Sequence, residues 1–139
     1  MLGQALLDYE LYIYSLADHF SCIRRSTLTV VHQASNVATV KGELTFDGGI
    51  SLTVREIVRF DSTPPRIAHY GYEVLQGEEK LYWYDSQPHP NEPRLASSHP
   101  HHKHVPPDIK RNRIPAPRLS FTEPNLPYLI QEIEQMLQV

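Results

Sequence analysis

The chain has 139 residues and a formal net charge of −3, with 40% hydrophobic and 21% charged residues. This length suits one domain with its own core, and the composition excludes both a disordered chain and an integral membrane protein. The single cysteine, Cys22, excludes an internal disulfide and a zinc site built from cysteines. The acidic N-terminal segment does not have the pattern of a secretory signal, so we expect a cytoplasmic protein.

Charge is distributed unevenly along the chain. Residues 1–85 contain seven Lys or Arg against eleven Asp or Glu, whereas residues 86–120 contain six against two, together with five histidines. A basic, histidine-rich segment on an acidic body is typical of a protein with an anionic partner such as RNA, although a solvated loop can have the same composition. The candidate nucleic-acid-binding residues are the cations of this segment: Lys103, Lys110, Arg111 and Arg113.

The pattern of apolar residues predicts an α+β fold in a single domain over residues 1–139. Residues 26–85 alternate apolar and polar side chains with the period of a strand, which predicts a curved antiparallel meander of about five strands. A helix is predicted within residues 121–139. A second helix at the N-terminus, where residues 12–14 could equally form a short strand, completes the helix-plus-sheet body of residues 1–85. Residues 86–120 hold eight of the twelve prolines and show no period, which predicts a long arm wrapped at the edge of the sheet.

The turns of the meander predict its register. A three-residue loop at residues 47–49 places Val40 opposite Glu56 and keeps every apolar side chain of the two strands on one face. The next two turns place Glu56 opposite Tyr70 and Tyr70 opposite Tyr84. We therefore expect the Glu56 carboxyl within hydrogen-bonding reach of Tyr70. A carboxyl in this apolar row is either part of a structural network or an acid–base group of raised pKa.

The segment "SSHPHHKHVPP" concentrates four of the eight histidines within residues 99–104. Its spacing matches no standard zinc motif, yet one or two of these imidazoles with His89 and Asp85 could bind a divalent transition metal. Alternatively, the segment is a proline-stiffened loop whose imidazoles form hydrogen bonds with the backbone. The candidate metal ligands are His89, His99, His101, His102 and His104.

The same histidines also fit the cleavage of RNA without a metal. That reaction needs a base for the 2′-hydroxyl, an acid for the leaving oxygen and a cation for the phosphorane, and histidines beside a lysine supply all of these near neutral pH. These roles fall to His101 or His102 as base, His89 or His104 as acid, Lys103 as cation and Asp85 as the group that orients a histidine.

Three segments, "HYGYEVL", "LYWYDSQPHP" and "SHPHHKHVPP", resemble the TumE-like toxin family of prokaryotic toxin–antitoxin modules. The resemblance spans residues 10–105, with "PHHKH" as its most specific part, and departs at Glu73 and Pro90, where relatives often have histidine. It implies an intracellular toxin that acts with an antitoxin. The matched residues are Glu56, Tyr70, Tyr72, Tyr84, Asp85, Pro88, His89, Pro100, His101, His102, Lys103 and His104.

The favoured interpretation is therefore a toxin that acts on RNA as a metal-independent ribonuclease. The expected partners are a cognate antitoxin and RNA, with a homodimer as a further candidate and no membrane; no cofactor is favoured, and a divalent transition metal is the alternative. The alternatives are a metal-dependent hydrolase that uses the histidines and a non-catalytic module that binds nucleic acid or protein. The candidate catalytic residues are Glu56, Tyr70, Tyr72, Asp85, His89, His101, His102, Lys103 and His104.

Overall fold

The computed structural model describes residues 3–138, so the first two residues and the last residue of the predicted domain lie outside it. It confirms the α+β class, with one open antiparallel sheet, helices at the N-terminal end of the chain and a helix at the C-terminal end. The helices are α1 (Gln4–Tyr14), α2 (Leu16–His19) and α3 (Leu126–Leu137). The strands are β1 (Arg25–Ser26), β2 (Thr29–Ala34), β3 (Val37–Thr45), β4 (Ile50–Arg59), β5 (Arg66–Gln76), β6 (Glu79–Asp85), β7 (His102–His104) and β8 (Arg113–Pro115).

The sheet has eight strands, in the order β1-β3-β4-β5-β6-β7-β8, with β2 also paired to β3. The estimate of about five was too low for two reasons. The first predicted strand is divided into β1 and β2, and the arm contributes β7 and β8. The arm does lie at the edge of the sheet beside β6, as expected, because β7 pairs with β6.

The hairpin between β3 and β4 has the predicted register. Val40 lies opposite Glu56 and Leu44 opposite Leu52, and residues 47–49 form the connecting turn. Gly48, with a φ of 72°, adopts a left-handed conformation that favours glycine. The apolar face of both strands is therefore continuous, as the sequence pattern indicated.

The next two pairings are confirmed only in part. Glu56 lies opposite Tyr70 as predicted, but Tyr84 lies opposite Tyr72 and not Tyr70. The predicted register between β5 and β6 is wrong because a tight turn within residues 76–79 is followed by a register shift in the ladder. The displacement is two residues, which keeps every side chain on its expected face.

One face of the sheet, the inner face, packs against α1 and α3. The residues of α3 that are fully buried include Leu129, Ile130 and Ile133, which share one side of the helix. Pro127 lies in the first turn of α3, where its missing N–H has no partner to lose. Within residues 3–138, no helix has the length and apolar character needed to cross a membrane.

Candidate functional site

The histidine run of the arm forms β7, so its alternate residues point to opposite faces of the sheet. Lys103 points to the inner face, where its Nζ lies 3.2 Å from an oxygen of Glu132 in α3. His102 and His104 point to the outer face, opposite the helices, next to Asp85 of β6. The predicted cationic partner of the imidazoles therefore lies on the other side of the sheet from both of them.

On the outer face, a carboxylate and two imidazoles converge. His102 Nε2 lies 2.9 Å from Asp85 Oδ1, and His104 Nε2 lies 3.2 Å from Asp85 Oδ2. The two Nε2 atoms are 3.2 Å apart. His102 is 1% exposed and His104 4%, so the group is nearly closed to solvent on the histidine side. We refer to Asp85, His102 and His104 as the Asp85 centre.

Backbone carbonyls fix the tautomers of both imidazoles. Nδ1 of His102 lies 3.0 Å from the carbonyl oxygen of Pro100, and Nδ1 of His104 lies 2.8 Å from that of Ile109. A carbonyl oxygen can only accept a hydrogen bond, so each Nδ1 carries a hydrogen and donates it. In the neutral ring, Nε2 is then a free acceptor. Both acceptors face the Asp85 carboxylate.

The pKa values within the Asp85 centre are shifted in different directions. Burial alone would raise the pKa of Asp85, but a hydrogen bond from the protonated His102 ring and one from the Gln87 backbone N–H outweigh it and lower the pKa to about 2. Burial alone would lower the pKa of His102, but the Asp85 carboxylate and the Pro100 carbonyl raise it. Burial lowers the pKa of His104. As pH falls, His102 is therefore the first of the two imidazoles to bind a proton.

The surroundings of the centre are aromatic and basic. The His104 ring stacks on Trp83, with 4.2 Å between centroids, and the His89 ring meets His102 edge-on at 4.9 Å. Burial and the nearby charge of Arg113 lower the pKa of His89. A pocket of about 430 Å³ opens beside the centre; its lining residues include His89, Asn91, Glu92 and His99.

The four candidate nucleic-acid-binding residues are in different environments. Lys110 and Arg111 are exposed on the loop of residues 105–112 that joins β7 to β8. Arg113 is half-buried and lies 3.5 Å from a carboxylate oxygen of Glu92. Lys103 is on the inner face with Glu132. Two of the four are thus free to meet an anion at the surface near the centre.

Glu56 belongs to a separate network on the inner face. Its buried carboxyl accepts hydrogen bonds from the hydroxyls of Tyr9 in α1 and Tyr72 in β5. The Tyr72 hydroxyl in turn accepts a hydrogen bond from Asn125 Nδ2 at 3.1 Å. Burial raises the pKa of Glu56, and the two phenol hydrogen bonds offset part of that rise. Tyr9 thus links the carboxyl to α1, and Tyr72 links it to β5.

The predicted hydrogen bond between Glu56 and Tyr70 is wrong. Tyr70 lies opposite Glu56, but its ring stacks on Tyr72, with 4.9 Å between centroids, and its hydroxyl lies 2.6 Å from Nδ1 of His101. No pattern in the sequence indicated Tyr9, because that residue reaches Glu56 from a helix distant in the chain. Tyr9 takes the place that the strand register had suggested for Tyr70.

Comparison with known proteins adds the identity of the family. The model of the family described as toxin TumE matches residues 13–137, which is nearly the whole chain. The chain belongs to the TumE toxin family. This confirms the resemblance carried by the strands and the histidine run, and a toxin of this family implies an antitoxin as its partner. No curated protein and no solved structure matches the chain.

In this TumE-family chain, the residues that carry the resemblance are divided by the sheet. Asp85, His102 and His104 meet on the outer face, with His89 against them. The alternation within β7 would have indicated this division, but a strand of three residues is too short to show a period in the sequence. The remaining candidates lie on the inner face: Glu56, Tyr70, Tyr72, His101 and Lys103.

Proposed function

We propose that this TumE-family toxin acts on RNA and cleaves it at the Asp85 centre. The observation that carries the proposal is the convergence of one carboxylate and two imidazoles on the outer face of β6 and β7. Buried polar groups with shifted pKa values concentrate at functional sites. Burying polar groups costs free energy, so a sheet face that served stability alone would be filled by apolar side chains. The inner network around Glu56 has no such arrangement of free acceptors, since phenols and an amide occupy it.

The charge of the arm supports an anionic substrate. Lys110 and Arg111 are exposed on the loop that also holds Ile109, whose carbonyl orients His104. Arg94 is exposed as well, in the segment that lines the neighbouring pocket between Pro93 and Ala96. Lysine and arginine bind the phosphates of nucleic acids, and this part of the chain is basic although the whole chain is acidic. RNA would approach the centre past His89.

The geometry favours a mechanism in which the three groups act on one oxygen atom. A metal-independent ribonuclease places its acid and base on opposite sides of a phosphate, with a cation beside them. Here the Nε2 atoms of His102 and His104 are 3.2 Å apart, which leaves no room for a phosphate between them. Lys103 is on the opposite face. We therefore propose that the Asp85 centre activates the attacking oxygen. The reaction is then hydrolysis, in preference to transfer of the phosphoryl group to the 2′-hydroxyl.

The proposal is tested by comparing three chains in one expression experiment. The wild type should arrest growth and fragment cellular RNA. Asp85→Asn keeps the shape of the side chain but removes its charge, and should abolish both effects. His99→Ala removes an exposed histidine of the same arm and should behave as the wild type. Purified proteins should give the same order on end-labelled RNA, with folding checked by circular dichroism.

Each part of the proposal can fail separately. Normal growth with the wild type would overturn the toxin assignment for this chain. Growth arrest with intact RNA, in cells and with purified protein, would overturn RNA as the target. RNA cleavage by Asp85→Asn at the wild-type rate would overturn the Asp85 centre as the place of reaction.

A further inference from the structure

We infer that the Asp85 centre binds one divalent transition-metal ion, held by Asp85, His102 and His104. This inference goes beyond the cleavage of RNA, because the ligands and their orientation do not depend on which substrate the toxin attacks. Each of the three residues directs one ligand atom to a common point, and these atoms all lie within 4.8 Å of one another. His101 and His99 are not members of this group of three.

The first argument is the orientation of the lone pairs. Because each Nδ1 donates to a backbone carbonyl, both Nε2 atoms present lone pairs to a carboxylate that also only accepts. Three acceptors therefore face one another, with both imidazoles buried and the Asp85 side chain 26% exposed. One proton can join two of them, whereas a cation at the common point satisfies all three.

The second argument is the spacing of the ligand atoms. A metal ion lies about 2.0–2.2 Å from imidazole nitrogen and carboxylate oxygen, so neighbouring ligands are roughly 2.8–3.6 Å apart in octahedral or tetrahedral geometry. The closest separations within the Asp85 centre are 2.9, 3.2 and 3.2 Å. The two separations to Asp85 involve its two different oxygens, so a carboxylate that binds through both oxygens has the spacing that an ion requires.

The third argument is the set of groups behind the ligands. Metal-bound imidazoles usually donate their other N–H to a carbonyl or carboxylate, and metal-bound carboxylates are themselves hydrogen-bonded. Both features are present: the carbonyls of Pro100 and Ile109 accept from the imidazoles, and Asp85 accepts from the Gln87 N–H at 3.0 Å. Trp83 Nε1 adds a hydrogen bond to the second carboxylate oxygen of Asp85 at 3.2 Å.

The ligand set indicates the class of metal. Two imidazoles and one carboxylate suit Zn²⁺, Fe²⁺, Co²⁺ or Ni²⁺, whereas Mg²⁺ and Ca²⁺ prefer oxygen ligands. Three protein ligands leave further positions open for water or substrate, as in catalytic sites. A water bound there would lose a proton to solvent near neutral pH. The resulting hydroxide would attack the phosphorus of a phosphodiester while the P–O bond to the leaving oxygen breaks and that oxygen takes up a proton from solvent, which fits a centre that acts on one oxygen.

Histidine-rich segments bind metal ions adventitiously. The control variants must therefore replace histidines of the same arm that lie outside the Asp85 centre. His101 is suited to this because its Nδ1 lies 2.6 Å from the Tyr70 hydroxyl on the inner face. His99 is exposed and lines the neighbouring pocket. A nonspecific site would lose affinity when either of these residues is replaced, whereas the Asp85 centre would not.

The test uses Co²⁺ as the probe, with the untagged full chain stripped of metal by a chelator. Co²⁺ is titrated while its visible absorption and the heat of binding are followed, and Zn²⁺ is then added as a competitor. We expect one ion per wild-type chain, displaced by Zn²⁺. Asp85→Asn and His102→Gln should weaken binding more than about 100-fold, and Trp83→Phe by about 10–100-fold. His99→Ala and His101→Ala should bind as the wild type does.

Three results would overturn the inference: no saturable binding by the wild type, unchanged binding by Asp85→Asn, or equal loss in the His99→Ala and His101→Ala controls. Trp83→Phe keeps all three ligands, so it still tests the centre if Asp85→Asn fails to fold. Binding is measured without RNA and without cells. A metal site with no RNA cleavage would contradict only the proposed function, and RNA cleavage with no metal site would contradict only this inference.

Discussion

Glu56 connects the first helix to the middle of the sheet. Its carboxyl is fully buried and accepts hydrogen bonds from Tyr9 of α1 and Tyr72 of β5. Burial raises the pKa of Glu56 as the dominant effect. It also raises the pKa of both phenols, so the phenols keep their protons over the range in which the carboxyl titrates. Folding therefore favours the protonated carboxyl.

The raised pKa of Glu56 predicts how stability depends on pH. The contribution of Glu56 is present in full below its unfolded-state pKa, about 4.3, and is lost as pH rises through the higher folded-state pKa. The difference in unfolding free energy between the wild type and Glu56→Gln should therefore fall as pH rises, by about 1.4 kcal/mol for every tenfold ratio between the two acid dissociation constants. Urea unfolding of both proteins from about pH 4 to about pH 8 measures it. A difference that grows with pH would mean that folding favours the carboxylate.

Among the strands, β3 depends on a close approach that a single glycine allows. Gly42 has a φ of 134°, and a Cβ built on it would lie 2.5 Å from the backbone oxygen of Thr27, in the segment that connects β1 to β2. A backbone atom cannot move aside as a flexible side chain can. Both the conformation and the space therefore require glycine at this position.

Gly42→Ala should lower the unfolding free energy by at least about 2 kcal/mol, because the strained φ and the clash add to each other. Gly71→Ala is the matched control, since a Cβ there would meet nothing within 4 Å. Its effect should stay within about 0.5 kcal/mol. Equal losses in the two variants, measured by urea unfolding, would show that the contact with Thr27 is not what constrains Gly42.

The length of a strand determined how well it could be predicted. The nine or more residues of β3, β4 and β5 show a clear period of two, and their faces were predicted correctly except near the start of β5, where a register shift places Ile67 and not Ala68 opposite Val58 in the core. Strands β7 and β8 have three residues each, too few to show any period, so the arm was expected to be irregular. The turns predicted the register of the strands. That prediction was wrong between β5 and β6, where a shift in the ladder follows the turn.

At the scale of the molecule, the sheet separates two polar groups that the sequence pattern had suggested as one site. The Asp85 centre lies on the outer face, and the Glu56 network lies under α1 on the inner face. The sequence indicated all three residues of the Asp85 centre but only Glu56 and Tyr72 of the inner network, because Tyr9 and Asn125 come from distant parts of the chain. The residues of the arm could not be assigned to faces, because the face of His102 and Lys103 depends on β7 pairing with β6.

This division predicts that the two faces differ in function. Glu56→Gln should still arrest growth when expressed, because its network joins structural elements and lies on the opposite face of the sheet from the Asp85 centre. Asp85→Asn should not. Growth curves at matched protein levels, read from immunoblots, make the comparison. A folded Glu56→Gln protein that permits normal growth would bring the inner face into the reaction.

The alternation of residues in β7 also sets how freely each position can diverge among relatives. Position 103 faces Tyr82 and Glu132, so any residue that suits those neighbours leaves the outer face untouched. Positions 102 and 104 contact Asp85 on the outer face, so the proposed function allows them no such freedom. A lineage can therefore lose the lysine-containing run while it keeps an aspartate at the end of one strand opposite a His-x-His in the next. Distant relatives with the same chemistry should be recognised by that paired spacing, and a histidine-rich loop without the facing aspartate should not be counted among them.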